Sequence, residues 1–204
     1  MIDCPSKNAI VSGEAMEQFC REYVNKLSIV LENREWSDVQ QLAGLMFDAW
    51  RDRRQLLICG NGGSAGNAIH LANDLLYGVG GDRMPGMKVE ALSANPSVLT
   101  CLGNDIGYEN IFSEQLRSKA EIGDMLIVLS GSGNSENVVR ALDVANNMKM
   151  RTVAIVGYSG GRCLELAELS IHFAINDMQI CEDLQLIVGH MCMQWLDRKS
   201  KENV

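Results

Sequence analysis

The sequence predicts an α/β protein in which helices cover both faces of a parallel sheet of five strands. From residue 55 onward, short and almost continuous apolar runs alternate with segments of helical periodicity, as in strands that are buried on both faces. The chain has 204 residues, of which 47% are hydrophobic and 22% charged, so it is long enough to bury a core of its own. This composition excludes collagen-like, low-complexity and wholly disordered proteins.

Two helices are predicted before the first strand, over residues 14–32 and 36–53. In the first, Met16, Phe19 and Tyr23 recur at helical spacing, and Trp36, Val39, Leu42 and Met46 do the same in the second. Five strands follow, and a last helix is expected over 178–199. The strands are predicted at residues 55–60, 89–93, 125–130, 152–157 and 169–175. Ligands bind such sheets beyond the carboxyl ends of the strands, so the loops there are the candidate sites.

The charge and cysteine content limit the partners and the compartment. With 18 basic and 26 acidic residues the net charge is −8, which argues against direct binding of nucleic acid. There is no signal-peptide pattern and no apolar run of the ~18 residues that a membrane span needs, so we expect a cytoplasmic protein without membrane contact. The seven cysteines show no CxxC spacing, and those in apolar runs, such as Cys59 and Cys192, are expected to be small buried hydrophobes.

A glycine-rich loop follows the first predicted strand and opens a helix. It contains Asn61, Gly62, Gly63 and Ser64. Glycines let backbone N–H groups approach a ligand, and a helix N-terminus favours anions. A tight turn with Ser64 as the helix N-cap explains the same residues, so this loop alone leaves both interpretations open.

A second loop follows the clearest strand and precedes a helix predicted over 136–148. Its three hydroxyls and two glycines at a helix start favour a cradle for a phosphate monoester, in the run Ser130, Gly131, Ser132, Gly133, Asn134, Ser135. Gly103, Asn104 and Asp105 are interpreted as a third loop, since Asn and Asp are common turn residues.

Two predicted helices carry titratable side chains. His70 and Asp74 are four residues apart and therefore share a helix face, as helical metal ligands do. A satisfied helix histidine is the alternative for His70. The last helix holds Glu182, Asp183 and, within an apolar stretch, His190, whose burial requires a polar partner. His172 lies in a strand and is interpreted as structural.

The ordered set GNGGS, HxxxD helix, GND, SGSGNS and a late carboxylate–histidine helix resembles the sugar isomerase (SIS) family, and within it the phosphoheptose isomerases. The resemblance implies a flavodoxin-like three-layer sandwich with residues 55–204 as the SIS domain. It also implies that the helices of residues 1–54 pack on the core and between subunits, in a homotetramer with active sites between subunits. The implied reaction interconverts sedoheptulose 7-phosphate and D-glycero-D-manno-heptose 7-phosphate through an enediol, toward lipopolysaccharide or capsule heptose.

The same resemblance assigns roles to individual residues. The substrate-binding positions are Asn61, Gly62, Gly63, Ser64, Asn104, Asp105, Ser130, Gly131, Ser132, Ser135 and Glu182. One zinc ion per subunit is implied, with ligands His70, Asp74, Glu182 and His190. Asp74 and His190 are the implied catalytic residues, with Asp74 as the base, Glu182 as the less favoured base, and His190 as an acid or base on the other side. This chain departs from the family at three positions, with Asp74 in place of Glu, Glu182 in place of Gln and Gly131 where Thr is frequent.

Three other functions remain open from the sequence. The first is isomerisation or epimerisation of a different sugar phosphate, which the changes at Asp74 and Glu182 invite. The second is a non-catalytic adaptor that binds the replication initiator, as some relatives of the family do. The third is a sugar-phosphate sensor, although no DNA-binding module is attached. Two histidines with carboxylates on helix faces favour the enzyme over the adaptor.

Overall fold

The computed structural model describes residues 13–80 and 85–202. Its five strands all pair in parallel, in the spatial order β2-β1-β3-β4-β5. They are β1 (Gln55–Gly60), β2 (Lys88–Ala91), β3 (Met125–Ser130), β4 (Arg151–Val156) and β5 (Leu169–His172). This is the flavodoxin-like strand order, so the predicted fold class is confirmed.

The order of the strands determines where a ligand can bind. After β1 the chain moves outward to β2 and then returns to the other side of β1 to form β3, which is a topological switch point. Gly60 of β1 pairs with Leu129 of β3, so the two strands end side by side. The two glycine-rich loops that follow these strands therefore leave the sheet at the same place.

Helices cover both faces of this sheet. After α1 (Gly13–Glu32), the helices are α2 (Ser37–Arg51), α3 (Gly63–Tyr77), α4 (Pro96–Asp105), α5 (Ser113–Lys119), α6 (Glu136–Asn147), α7 (Gly161–Leu166) and α8 (Met178–Glu202), with a 3-10 turn at Tyr108–Asn110. Within the described ranges, none of them is long and apolar enough to cross a membrane.

The chain divides into two compact units, one ending at Glu35 and one beginning at Trp36. The second unit thus includes α2, which the expected boundary at residue 54 groups with α1. In the first unit, α1 leaves Met16, Phe19, Val24 and Ile29 exposed. In the second, α2 buries Leu42, Met46 and Trp50.

The core lies around the central strands, and every residue of β3 is buried. The buried cysteines belong to this core. Burial raises the pKa of the Cys192 thiol to about 12 and that of Cys163 to about 11, and it raises the pKa of Cys59 further still. These thiols therefore stay protonated, and the prediction that Cys59 and Cys192 are small buried hydrophobes is confirmed.

The segment Gly103–Asp105 forms the last turn of α4 and not a loop, so that prediction was wrong. Asn95 caps this helix by accepting hydrogen bonds from the amides of Ser97 and Val98, and Pro96 occupies its first position. Both are strong signals for a helix start, and the helix then runs through Asp105. The predicted strands at 89–93 and 169–175 are also shorter in the structure, which gives Lys88–Ala91 and Leu169–His172.

Candidate active site

The first glycine-rich loop connects β1 to α3. Gly62 is the N-cap residue of α3 and has φ +56°, a conformation that favours glycine. Ser64 is therefore not the N-cap that one interpretation predicted, but a buried residue of the first helical turn. The backbone of Gly62 and Gly63 is exposed at the N-terminus of α3, where an anion is favoured.

Asn61 is held in place by two residues that the sequence did not single out. Its side-chain amide exchanges two hydrogen bonds of 2.8 Å with the amide of Asn137, which is buried in α6. The hydroxyl of Tyr108 donates a further bond of 2.9 Å to Asn61 Oδ1. These contacts orient the first loop from two other elements, and no sequence spacing indicates them.

The second loop, from Ser130 to Ser135, lies between β3 and α6. Ser130 Oγ accepts a hydrogen bond from the amide of Gly133 at 3.0 Å, and Ser132 Oγ accepts one from the amide of Asn134 at 3.3 Å. Ser135 is the N-cap residue of α6, and its side chain makes no capping hydrogen bond. Each of the three hydroxyls therefore retains a proton to donate, which is what a phosphate oxygen requires.

The loop that follows β4 supports the second loop from outside. Gly157 N donates to Gly131 O and Cys163 N donates to Gly133 O, both at 3.0 Å. A Cβ built on Gly133, whose φ is +67°, would overlap the carbonyl oxygen of Gly160. Backbone therefore packs on backbone here, and the shape of the second loop is fixed by its neighbour.

Both loops line one cavity of about 260 Å³ at the carboxyl edge of the sheet. Its remaining wall is the start of α8, with Met178 and Glu182 one turn apart. The Glu182 carboxylate lies against Gly63, where a Cβ would overlap it. In the described part of the chain, no Lys or Arg lines this cavity, so an anion would be held by hydroxyls, backbone amides and the N-termini of α3 and α6.

Farther along α3 and α8, three titratable side chains converge. Asp74 Oδ2 lies 3.4 Å from His70 Nε2 and 3.4 Å from His190 Nε2, and the two Nε2 atoms are 2.9 Å apart. The His70 and His190 side chains are 49% and 39% exposed, and Asp74 is 21% exposed. The other carboxylate oxygen of Asp74 accepts a bond from Asn73. The cluster is thus open to solvent or to another molecule on one side.

Close packing of α3 on α8 brings these side chains together. Gly189 is buried against Leu71, and a Cβ at Gly189 would overlap the methyl groups of that leucine. Asn67 joins the helices by donating to the backbone oxygen of Glu182 at 2.9 Å and to Gln185 Oε1 at 3.0 Å. Gly189 and Asn67 therefore set the distance between the helices. Gly189 lies directly before His190, and Asn67 lies one turn before His70.

Two predicted site groups lie apart from this cluster. Within one chain, Glu182 does not join His70, Asp74 and His190 as a fourth ligand. Since α8 is continuous, the eight residues between Glu182 and His190 span ~12 Å. Asn104 and Asp105 are exposed at the end of α4, where Asn104 donates to the Asp105 carboxylate at 2.8 Å. His172, interpreted as structural, bonds to the backbone oxygen of Tyr158 at 2.9 Å.

The three converging atoms have the spacing of metal ligands. A tetrahedral zinc ion with nitrogen and oxygen ligands at ~2.0–2.1 Å keeps neighbouring ligand atoms about 3.4 Å apart. Two of the three distances match that value, and the distance between the histidine nitrogens is 2.9 Å. Two histidines and one carboxylate also leave a fourth position free, as catalytic zinc sites do. The residues present therefore fit such an ion.

Comparison with known proteins matches this fold and these motifs. The SIS domain family matches residues 18–157 of the chain. A phosphoheptose isomerase of Akkermansia muciniphila is 38% identical over 162 residues, which cover 79% of this chain and 85% of that protein. One from Sulfurimonas denitrificans is 31% identical over 183 residues, covering 90% and 93%.

Solved structures agree with the sequence relatives. The phosphoheptose isomerase GmhA from Neisseria gonorrhoeae superposes with a TM-score of 0.81 at 26% identity, covering 90% of this chain and 98% of that one. A phosphoheptose isomerase from Francisella tularensis has the same fold, with a TM-score of 0.83 at 23% identity and the same coverage. This chain is therefore an isomerase that belongs to the SIS domain family and, within it, to the phosphoheptose isomerases.

Proposed function

We propose that this protein converts sedoheptulose 7-phosphate to D-glycero-D-manno-heptose 7-phosphate. The observation that carries the proposal is that α3 and α8 contribute both to a hydroxyl-lined cavity and to a histidine–carboxylate cluster. From Gly63 to His70 the rise along α3 is ~10 Å. This distance is similar to the one between the phosphate and the carbonyl of an extended seven-carbon sugar, so one substrate could reach both the cavity and the cluster.

The phosphate group would bind to the second loop. The hydroxyls of Ser130, Ser132 and Ser135 would donate to its oxygens, together with the free amides at the start of α6. Asn61, held by Asn137 and Tyr108, would contact a sugar hydroxyl. Within the described residues the Glu182 carboxylate makes no hydrogen bond of its own, so it can accept one from a sugar hydroxyl.

Proton transfer would be carried out by Asp74 and His190. The carboxylate of Asp74 removes a proton from C1, which lies next to the C2 carbonyl, and the carbonyl oxygen takes up a proton to give an enediol. Loss of the O1 proton and return of a proton to C2 complete the aldose. His190 would donate and accept the protons of the two oxygen atoms. Glu182 is the less favoured base, because it lies against Gly63 in the cavity and not in the cluster. General acid–base catalysis contributes ~10²–10⁴-fold to the rate.

His70, Asp74 and His190 would hold the zinc ion that their spacing fits. When bound, such an ion acts as a Lewis acid on the carbonyl and hydroxyl oxygens of the substrate. His70 then has a ligand role without taking part in proton transfer. Its loss should therefore remove metal and turnover together.

A second copy of the chain would complete the site in a cytoplasmic homotetramer. The half-exposed cluster is flanked along α3 and α8 by the exposed apolar side chains of Ile69, Tyr77, Met191 and Trp195. Solvent-exposed apolar side chains grouped beside a functional cluster are typical of a surface that another molecule covers. The amphipathic helix α1, with its own exposed apolar residues, would pack in the same assembly, as residues 1–54 are expected to do.

The proposal is tested by metal analysis of the purified protein, together with NMR observation of sedoheptulose 7-phosphate before and after treatment with a chelator. We expect about one zinc per chain and conversion that the chelator abolishes and added zinc restores. His70→Ala should lose both metal and turnover, and a cysteine variant outside the site, Cys20→Ser, should lose neither. Conversion of a different sugar phosphate in place of this one, or a protein with neither metal nor turnover, would contradict the proposal.

A further inference from the structure

A neighbouring side chain, and not the backbone conformation, explains why residue 131 is a glycine. The described glycines with positive φ include Gly133 within the second loop and Gly160, which packs against it, but not Gly131. Its φ therefore does not by itself require glycine. A Cβ built on Gly131 would instead overlap the Sδ of Met178 and lie 2.9 Å from its Cε. The thioether of Met178 fills the space that a side chain at position 131 would occupy.

Met178 is placed to contact a ligand. It is the first residue of α8, it is 37% exposed, and it lines the cavity together with the serines of the second loop. The ring of Tyr158 lies behind it, 3.9 Å from the same Cβ position. The cavity therefore has a polar side made of loop hydroxyls and amides, and an apolar side at Gly131 made of one thioether.

The polar and apolar sides of the cavity would distinguish a phosphate monoester from inorganic phosphate. Inorganic phosphate carries an oxygen or hydroxyl at every corner, and one that faces a thioether loses hydration without gaining a hydrogen bond. A phosphate monoester has a carbon beyond one oxygen, and that carbon gains apolar contact with a thioether. An apolar wall beside a ring of donors thus favours the ester.

We propose that Met178 is a specificity-determining residue of the phosphate site, which takes the place of a side chain at position 131 and packs against the carbon next to the phosphate. This proposal rests on the proposed function, because it assumes that the second loop binds the phosphate of the sugar. It extends that function by naming the residue that selects a sugar phosphate over free phosphate.

The test compares the dissociation constants of sedoheptulose 7-phosphate and inorganic phosphate, both measured by calorimetry on the intact protein. Met178→Ala should weaken binding of the sugar phosphate by ~5–10-fold, as expected for the partial loss of one buried apolar contact. It should leave binding of inorganic phosphate unchanged or make it tighter, because the oxygen that faced the thioether regains hydration. Met178→Leu keeps an apolar side chain of similar volume and should stay within about twofold of the unaltered protein for both probes. Equal weakening of both probes by Met178→Ala would overturn the proposal.

A second pair of variants tests the shared space directly. Gly131→Ser should weaken the binding of inorganic phosphate when Met178 is present, because the two side chains compete for one position. In the Met178→Ala background the same serine has room and adds a hydroxyl donor, so phosphate should bind ~10-fold more tightly than in Met178→Ala alone. The matched control is Gly44→Ser, where a Cβ meets nothing within 4 Å. The same effect of Gly131→Ser in both backgrounds would overturn the proposal.

Binding and turnover are measured separately, so the two proposals can fail separately. If the sugar phosphate binds with the expected dependence on Met178 but is not converted, the proposed reaction is wrong and the role of Met178 stands. If it is converted and the variants show no such dependence, the role of Met178 is wrong and the reaction stands. If neither probe binds, the second loop is not a phosphate site and both are overturned.

Discussion

Gly189 controls the distance between the two histidines of the cluster, and Gly189→Ala tests that role. In a solvent-exposed helix this change stabilises by up to ~1 kcal/mol, because alanine is the better helix former. At Gly189, however, the added Cβ would overlap the Cδ2 of Leu71 and lie 2.7 Å from its Cδ1. Because Leu71 is only 4% exposed, we expect α3 and α8 to separate to relieve this overlap.

The cost of this separation can be estimated for stability and for catalysis. Overpacking of a well-filled core costs ~1–3 kcal/mol, and subtracting the gain in helix propensity leaves a net loss of about 0–2 kcal/mol. The effect on the cluster is larger, since a displacement of ~1 Å in a catalytic site can cost ~10²-fold. We therefore expect kcat to fall by ~10²-fold and zinc affinity to fall with it, while the protein remains folded.

The assay combines kcat, a zinc titration and thermal unfolding. The matched control is Gly44→Ala on α2, where a Cβ has no neighbour within 4 Å and only the propensity gain should appear. The double variant Gly189→Ala/Leu71→Ala removes the obstructing methyl groups and should recover part of the lost zinc affinity. If Gly189→Ala binds zinc and turns over like the unaltered protein, helix separation does not set the geometry of the cluster.

Three other substitutions test the proposed proton transfer, the proposed phosphate binding and the cause of a raised cysteine pKa. Asp74→Asn keeps the shape of the side chain but removes the proposed base and the charge of a proposed zinc ligand. NMR of the variant loaded with zinc, its zinc content measured alongside, should show turnover reduced by at least ~10²-fold. Ser132→Ala removes one hydroxyl from the second loop, so KM should rise by ~10-fold with kcat nearly unchanged. The hydrogen bond to Asp105 raises the pKa of the Cys101 thiol, which leaves less thiolate near pH 8. Asp105→Asn should therefore speed alkylation of Cys101 severalfold in a mass-spectrometric time course; an unchanged rate would contradict that cause.

Much of the sheet could be predicted because its signals are local. The buried strands β1 and β3 agree with the predicted 55–60 and 125–130, since strands covered on both faces are continuous apolar runs. The error at Gly103–Asp105 has an equally local cause. Asn and Asp are frequent in turns, but the stronger signal was the Asn95–Pro96 cap upstream, which starts a helix that carries these residues.

The site could be predicted only in part, because its halves depend on contacts between distant segments. The spacing of His70 and Asp74 indicates a shared helix face, but the approach of His190 depends on the packing of Gly189 against Leu71, which no spacing shows. Asn137 and Met178 were missed for the same reason. Asn137 bonds to Asn61 in the first loop, 76 residues away. Met178 fills the space beside Gly131, which in the sequence is only one residue of a glycine- and serine-rich loop.

The arrangement of the two helices would link the proposed substrate binding to the proposed chemistry. Both α3 and α8 begin at the cavity, with Gly63 against Glu182, and both carry the cluster about two to three turns farther along, at His70, Asp74 and His190. A slip of one helix by a single residue would move its side chains ~1.5 Å along the axis and rotate them around it. Such a slip would separate Gly63 from Glu182 and Asp74 from His190 together. The contact of Gly189 with Leu71 lies between these two ends, so it would fix the register that both the proposed phosphate binding and the proposed proton transfer require.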